Sequence, residues 1–217
     1  MKSLNVRHLS VGDLQQAAEV PALLDAFRVE WQLINTVNWA DYPYRPTAMF
    51  RIAHCGDRIL VQYRVSEETV RAVAPHDNGN VWEDSCCEFF CQPDDSPLYY
   101  NMECNCAGTL LVATGTEREG RVQASPAVVA AVDRWSSLGR GIIEEREAPA
   151  EWTMALVIPA STFFRHHITD LTGRSMRANF YKCGDKLRTP HFLSWNPITI
   201  PKPDFHRPDF FGGLTFE

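Results

Sequence analysis

The feature that most limits what this chain can become is a two-residue hydrophobic period, which sets in at "AMFRIAHCGDRILVQYRV" and recurs to the C-terminus. There Ala48, Phe50 and Ile52 fall on one side of a strand, and Ile59, Val61, Tyr63 and Val65 on one side of the next. The Gly56-Asp57 pair between them has the composition of a two-residue hairpin turn. The same alternation predicts strands over residues 86–91, 99–106, 109–114, 142–147, 152–158, 176–183 and 213–217.

Many short alternating runs split by Pro, Gly and Asp favour two packed antiparallel sheets over βαβ units. The expected fold is therefore an all-β antiparallel β-sandwich with one or two short helices. One helix is expected over residues 13–28, where Leu14, Ala17 and Ala18 recur at helical spacing, with a break at Pro21. A single helical turn should follow Pro159. Segment 195–211, "WNPITIPKPDFHRPDFF", carries four prolines and five rings counting His206, too many prolines for a central strand. An ordered loop followed by a final strand fits it better. With 217 residues, 45% hydrophobic and 22% charged, the chain can bury one sizeable core. It reads as a single domain, residues 1–38 forming a helix and lead-in and 39–217 the core.

Charge narrows the partners. Twenty-seven acidic against 21 basic residues give a net charge of −6, and no block of five like charges occurs, so no basic face is available to nucleic acid. No apolar run approaches signal-peptide or bilayer-spanning length, so no membrane partner is expected and the chain as given reads as cytoplasmic. A secreted or periplasmic setting would require a leader removed beforehand. The seven cysteines lack the paired spacing of a zinc site and fall on strand faces as small core thiols or a soft-metal cluster.

The functional question is posed by "VWEDSCCEFF", where Glu88 stands in the middle of an apolar, cysteine-bearing strand. A buried carboxylate needs a partner, because an ion loses far more solvation than its apolar neighbours gain. Glu88 shares its face with Cys86 and Phe90, and strand 99–106 offers Tyr99, Asn101, Glu103 and Asn105 opposite its cysteines. Strand 176–183 adds Arg177, Asn179 and Tyr181. Planar amide, guanidinium and carboxylate groups bridge vicinal hydroxyls, and rings such as Trp82, Tyr181, Trp195 and Phe205 stack on the C–H face of a pyranose. The same polar face is equally what a solvated side of an antiparallel sheet would show.

The ordered series "VWEDSCCEFFCQPD", "YYNMECNCAGTLL", "RANFYKCGD", "HFLSWNPI" and "PDFHRPDFFGGLTFE" resembles carbohydrate-binding module family 9-like domains, within the DOMON-like β-sandwich group, over residues 39–217. The resemblance implies a jelly-roll-like sandwich without a catalytic role. It would bind mono-, oligo- or polysaccharides of the glucose or xylose type, often at a chain end between two rings, in support of polysaccharide breakdown. Carried across, Trp82 matches the first ring and Glu88 the acid that follows it. Asn101 and Glu103 stand where binders have Arg and Asn, and Phe205, with His206 beside it, stands where they have Trp. The candidate ligand-binding set is Trp82, Glu88, Asn101, Glu103, Arg177, Asn179, Tyr181, Phe205 and His206.

Two other readings compete. Glu88 and Glu103, if opposed on neighbouring strands, approach the carboxyl separation of a retaining glycoside hydrolase, but an open sheet face would not desolvate them. Some DOMON-like relatives bind haem through Met and His, for which His54, His166, His167, His191 and His206 are candidates. No cofactor is otherwise expected, apart from a structural Ca²⁺ that loop residues Asp84, Asp94, Asp95 and Asp185 could hold.

Overall fold

The computed structural model describes residues 1–10, 16–149 and 151–217. Among them the strands are β1 (Ser3–His8), β2 (Gln32–Leu33), β3 (Thr36–Val37), β4 (Thr47–His54), β5 (Arg58–Ser66), β6 (Thr69–Ala72), β7 (Cys86–Gln92) and β8 (Tyr99–Asn105). There follow β9 (Leu110–Gly115), β10 (Val122–Gln123), β11 (Asp133–Ser136), β12 (Ile143–Glu147), β13 (Trp152–Pro159), β14 (Ser175–Cys183), β15 (Phe192–Ser194) and β16 (Gly212–Phe216). Two short helices, α1 (Val20–Ala26) and α2 (Pro126–Ala131), accompany them, with single 3-10 turns at Ala17–Glu19, Val81–Glu83, Ala160–Thr162 and Pro208–Phe210.

The strands run in the order β10-β9-β8-β7-β14-β16-β1-β4-β5-β13-β11, a path that curls into two facing layers joined through β1. The first half of β1 lies parallel to β16, with Val6 opposite Phe216, and its end lies parallel to β4, with His8 opposite His54. The expected lead-in is thus built into the sheet, and two pairings are parallel in an otherwise antiparallel design. Gly212 permits the approach of β1, since a Cβ there would collide with the Lys2 carbonyl.

The period-two pattern did its expected job between the layers. Phe50 and Val61 from one layer meet Phe89, Met102 and Phe180 from the other in a single buried cluster. The Phe50 and Phe180 rings stack at 3.6 Å. At the predicted hairpin Cys55 also joins the turn, and Gly56 takes a left-handed φ of 79°. Of the expected helix over 13–28, residues 13–15 lie outside the described residues. Pro21 sits in the first turn of α1 instead of breaking it, because a first-turn residue has no helical partner for its N–H anyway. The helix lays Val20 and Leu24 over Leu60, Ala155 and Val157, the outer face of the β5–β13 layer.

The outer face of the other layer positions the site. There Cys86, Phe90, Tyr99, Leu111 and Tyr181 form a second cluster, covered by Trp39, Ile198, Phe205 and Phe211. Segment 195–211 is therefore an ordered cover on β7, β8 and β14. Trp195 itself points the other way, into the inter-sheet core beside Phe50 and Phe180. No helix among the described residues is long and apolar enough to cross a membrane.

Candidate functional site: an acidic cavity under the proline-rich loop

A cavity of about 590 Å³ opens where the cover stops, over the part of β7, β8 and β9 that segment 195–211 leaves bare. Trp82, Phe205 and His206 form its walls with Phe192, and Glu88, Asn101 and Glu103 are part of its lining. These are the six sequence candidates that the structure brings together.

Strand register explains the floor. Glu88 on β7 stands directly opposite Glu103 on β8, and Phe90 opposite Asn101. Such opposed pairs hold their Cβ atoms about 4.5–5.5 Å apart. Glu88 accepts a hydrogen bond from the Cys183 thiol at 3.1 Å, and Glu103 accepts one from the Asn101 amide at 2.8 Å. Arg121 orients that amide through its Nε, 2.8 Å from Asn101 Oδ1. The rest of its guanidinium is occupied by the carbonyls of Glu117 and Tyr99 and by the face of the Tyr99 ring, 4.1 Å away.

The floor is less wet than the sequence suggested. Glu88 is 2% exposed and Glu103 4%, so the polar face is a desolvated pocket base and not an open sheet surface. Burial, then the charge of Glu103, pushes the Glu88 carboxyl well above the usual range. Burial also raises Glu103, to about 7, and Asp185 at the rim, to about 6. His206 moves down to about 3 through burial and the nearby Arg121 and Arg118, and its Nδ1 lies 3.0 Å from the Tyr99 hydroxyl.

Arg177, Asn179 and Tyr181 do not line the cavity. The proline-rich segment folds across their part of the face and takes up their polar groups. Arg177 donates to the carbonyls of Pro208 and Phe211, clamping the last turn of the cover. Asn179, fully buried, donates to the Asn196 carbonyl and accepts from the Asn196 amide. Tyr181 stacks beneath Phe205 at 4.1 Å and 6°, and its hydroxyl donates to the Phe205 carbonyl. It fixes the wall that Phe205 presents. Arg118, Arg121 and Asp204, which line the cavity from loops, and Gln123, on the two-residue strand β10, were not among the sequence candidates, because no periodicity encodes their positions.

The suggested Ca²⁺ ligands are dispersed. Asp84 is buried and accepts from the Val73 and Ala74 amides, Arg71 and Asn105, which ties the 3-10 turn bearing Trp82 to β6 and β8. Asp94 and Asp95 are exposed in the β7–β8 turn, and Asp185 belongs to the cavity rim. The histidines proposed for haem are likewise spread over the molecule. His54 is bound to the Glu217 carbonyl, His166 to Tyr100, and His191 to a buried lysine. Among the described residues, one group, Cys86, Glu88 and Cys183, has ligand atoms all within 4.8 Å of one another.

A curled β-sandwich with a ring-walled, hydrogen-bonding cavity on one outer face is the frame of a small-molecule-binding domain. The model of carbohydrate-binding family 9 matches residues 18–216, and the chain belongs to that family. It is 52% identical to a protein of Bacteroides uniformis assigned to carbohydrate binding, with 100% of this chain and 99% of that one covered at a TM-score of 0.97. It shares its fold with a family 9 module from Caldicellulosiruptor kristjanssonii solved with glucose, at 11% identity, 100% and 96% coverage and a TM-score of 0.61. The module from the same organism solved with cellotriose gives 11% identity, 100% and 94% coverage and a TM-score of 0.62. No curated protein matches the sequence.

Proposed function

We propose that the chain binds a saccharide in the cavity between Trp82 and the Phe205 wall, without catalysing a reaction on it. The observation that carries this reading is the composition of one 590 Å³ space: indole and phenyl walls above a floor of paired carboxyls and an oriented amide. Rings stack on sugar C–H faces, while carboxylate and amide groups accept from and donate to hydroxyls. Family membership supports it, and the glucose and cellotriose held by the Caldicellulosiruptor modules make glucose-type units the first ligands to try. A role beside polysaccharide-degrading enzymes is the setting in which such binding is useful.

Burial of Glu88 and Glu103 removes the objection that an open face could not perturb them, yet the hydrolase reading gains little from it. An acid–nucleophile pair needs its two pKa values pushed apart, and here burial drives both upward. Isothermal titration with glucose, xylose, cellobiose, xylobiose and their alditols tests the proposal. Saturable heat from a sugar and none from its alditol is expected for a site that encloses a ring at a chain end. Silence across the panel overturns glucose- and xylose-type units as the ligands, and turnover of an aryl glycoside overturns the non-catalytic part of the reading.

A further inference from the structure

Glu88 and Glu103 pose a charge problem that a neutral sugar does not solve. They oppose each other on the cavity floor, both more than nine-tenths buried, and among the described residues neither has a cation within ion-pair distance. Their hydrogen-bond donors there are a thiol and an amide, one each. Glu119, Asp185 and Asp204 line the same space, against Arg118 and Arg121. Arg121 is fully engaged with Asn101, Glu117 and Tyr99, and the Arg118 side chain is 60% exposed, 3.8 Å from Asp204. Among the described residues the cavity therefore carries an excess of buried acid with no free cation at its base.

Resting on the saccharide reading above, we infer that the preferred ligand is an amino sugar whose ammonium sits between the Glu88 and Glu103 carboxyls. A charge-assisted hydrogen bond to a buried carboxylate is roughly twice as strong as a neutral one. An ammonium at the floor lets both carboxyls ionise, while the ring carbons stay against Trp82. N-Acetylation deletes the charge and adds bulk at the same point, so an N-acetyl sugar loses the advantage. Glu88 is faced by Glu103 from β8 and by Tyr181 and Cys183 from β14, with Asp185 beyond them and the Lys182 ammonium on the opposite face of β14; Glu103 is faced also by Asn101, Arg118 and Arg121. Within this set Asp185, at about 6, is largely ionised at pH 7, whereas Glu88, held well above the usual carboxylate range, keeps its proton and Glu103, at about 7, keeps part of one, so an ammonium that ionises both releases protons to the buffer.

The test is titration of the full chain at pH 7.0 with glucosamine, glucose and N-acetylglucosamine, in two buffers of different ionisation enthalpy. Glucosamine should bind at least about tenfold tighter than glucose, with proton release, and N-acetylglucosamine no tighter than glucose. In Glu88→Gln and Glu103→Gln, folded by circular dichroism, the preference should shrink below about threefold. Glucose binding as tightly as glucosamine overturns this inference and leaves the saccharide reading standing. No binding of any of the three overturns both. Saturable heat from CaCl₂ alone, lost in the two variants and unaccompanied by a glucosamine preference, overturns it in favour of a divalent-cation site. The proton release is read on the unaltered protein, so the inference can fail even if a variant does not fold.

Discussion

Tyr181 lies flat beneath Phe205 at 4.1 Å while its hydroxyl holds the Phe205 carbonyl at 3.1 Å, so a strand residue fixes both the ring and the backbone of a loop residue. That double hold is how a proline-rich cover becomes a rigid cavity wall. Trp82 has a comparable anchor: its carbonyl accepts from the Asp185 amide, and Asp84 two residues on is buried in hydrogen bonds to β6 and β8. Both walls are set before any ligand arrives, which limits the ordering cost of binding.

Trp82 is half-buried, and its ring belongs to the cavity lining more than to the inter-sheet core. Trp82→Ala should lower saccharide affinity by about tenfold or more, since aromatic anchors carry a large share of binding energy. Thermal unfolding should move little. Calorimetric titration beside a melting curve checks both, and a collapsed melt would reassign Trp82 to the fold.

The raised carboxyls give a stability prediction with a definite sign. Glu103 titrates near 7 when folded against about 4.5 when unfolded, so the native state binds more protons between those values. Stability contributed by the retained proton is present below about pH 4.5 and is lost as pH rises through about 7. Glu103→Gln keeps the acceptor for Asn101 but has no proton to lose. It should be more stable than the native chain at pH 8, by roughly 1–3 kcal/mol, and equal to it at pH 4.5. Urea unfolding at the two pH values decides the matter; a variant weaker at pH 8 would show the carboxylate to be stabilising.

Lys182 is fully buried on β14, with its Nζ 2.8 Å from Glu67, 2.9 Å from the Cys183 carbonyl and 2.7 Å from His191 Nε2. An ammonium only donates, so His191 accepts there and its Nδ1–H donates to the Thr189 carbonyl. Burial and Lys182 hold the imidazole neutral, well below its usual range. Lys182→Met leaves Glu67 without its cation, holding only the Trp152 indole N–H among the described residues, and should cost about 3–5 kcal/mol, whereas adding Glu67→Gln should recover part of the loss. Denaturant midpoints of the single and double variants measure this coupling.

Six of the cysteines are buried and Cys55 is partly exposed, all seven free. Burial raises their thiols, so little thiolate is present for alkylation. Brief iodoacetamide treatment at pH 8 should modify Cys55 slowly and the others only after unfolding. Peptide mass mapping reads the pattern, and native labelling of Cys183 would mean that the cavity floor opens.

The sandwich was legible because its core strands alternate cleanly: Phe50, Val61, Phe89 and Met102 all point where a two-residue period puts them. The same period put Glu88 and Glu103 on facing sides of their strands, but that they stand directly opposite is a matter of register, which the sequence does not carry. What escaped depended on tertiary partners. β1 has six residues and no alternation strong enough to announce a parallel place between β16 and β4. Arg177, Asn179 and Tyr181 share the correct face of β14, but nothing local says that segment 195–211 will cover it. Arg121 and Asp204 came to the cavity on loops, where sequence spacing carries no direction.

A crystal structure of the protein soaked with cellobiose would test the central claim most directly. The account predicts sugar density in the cavity, with one ring against Trp82 and a polar substituent on the Glu88–Glu103 floor. An empty cavity at saturating sugar, or density on another face, would contradict it.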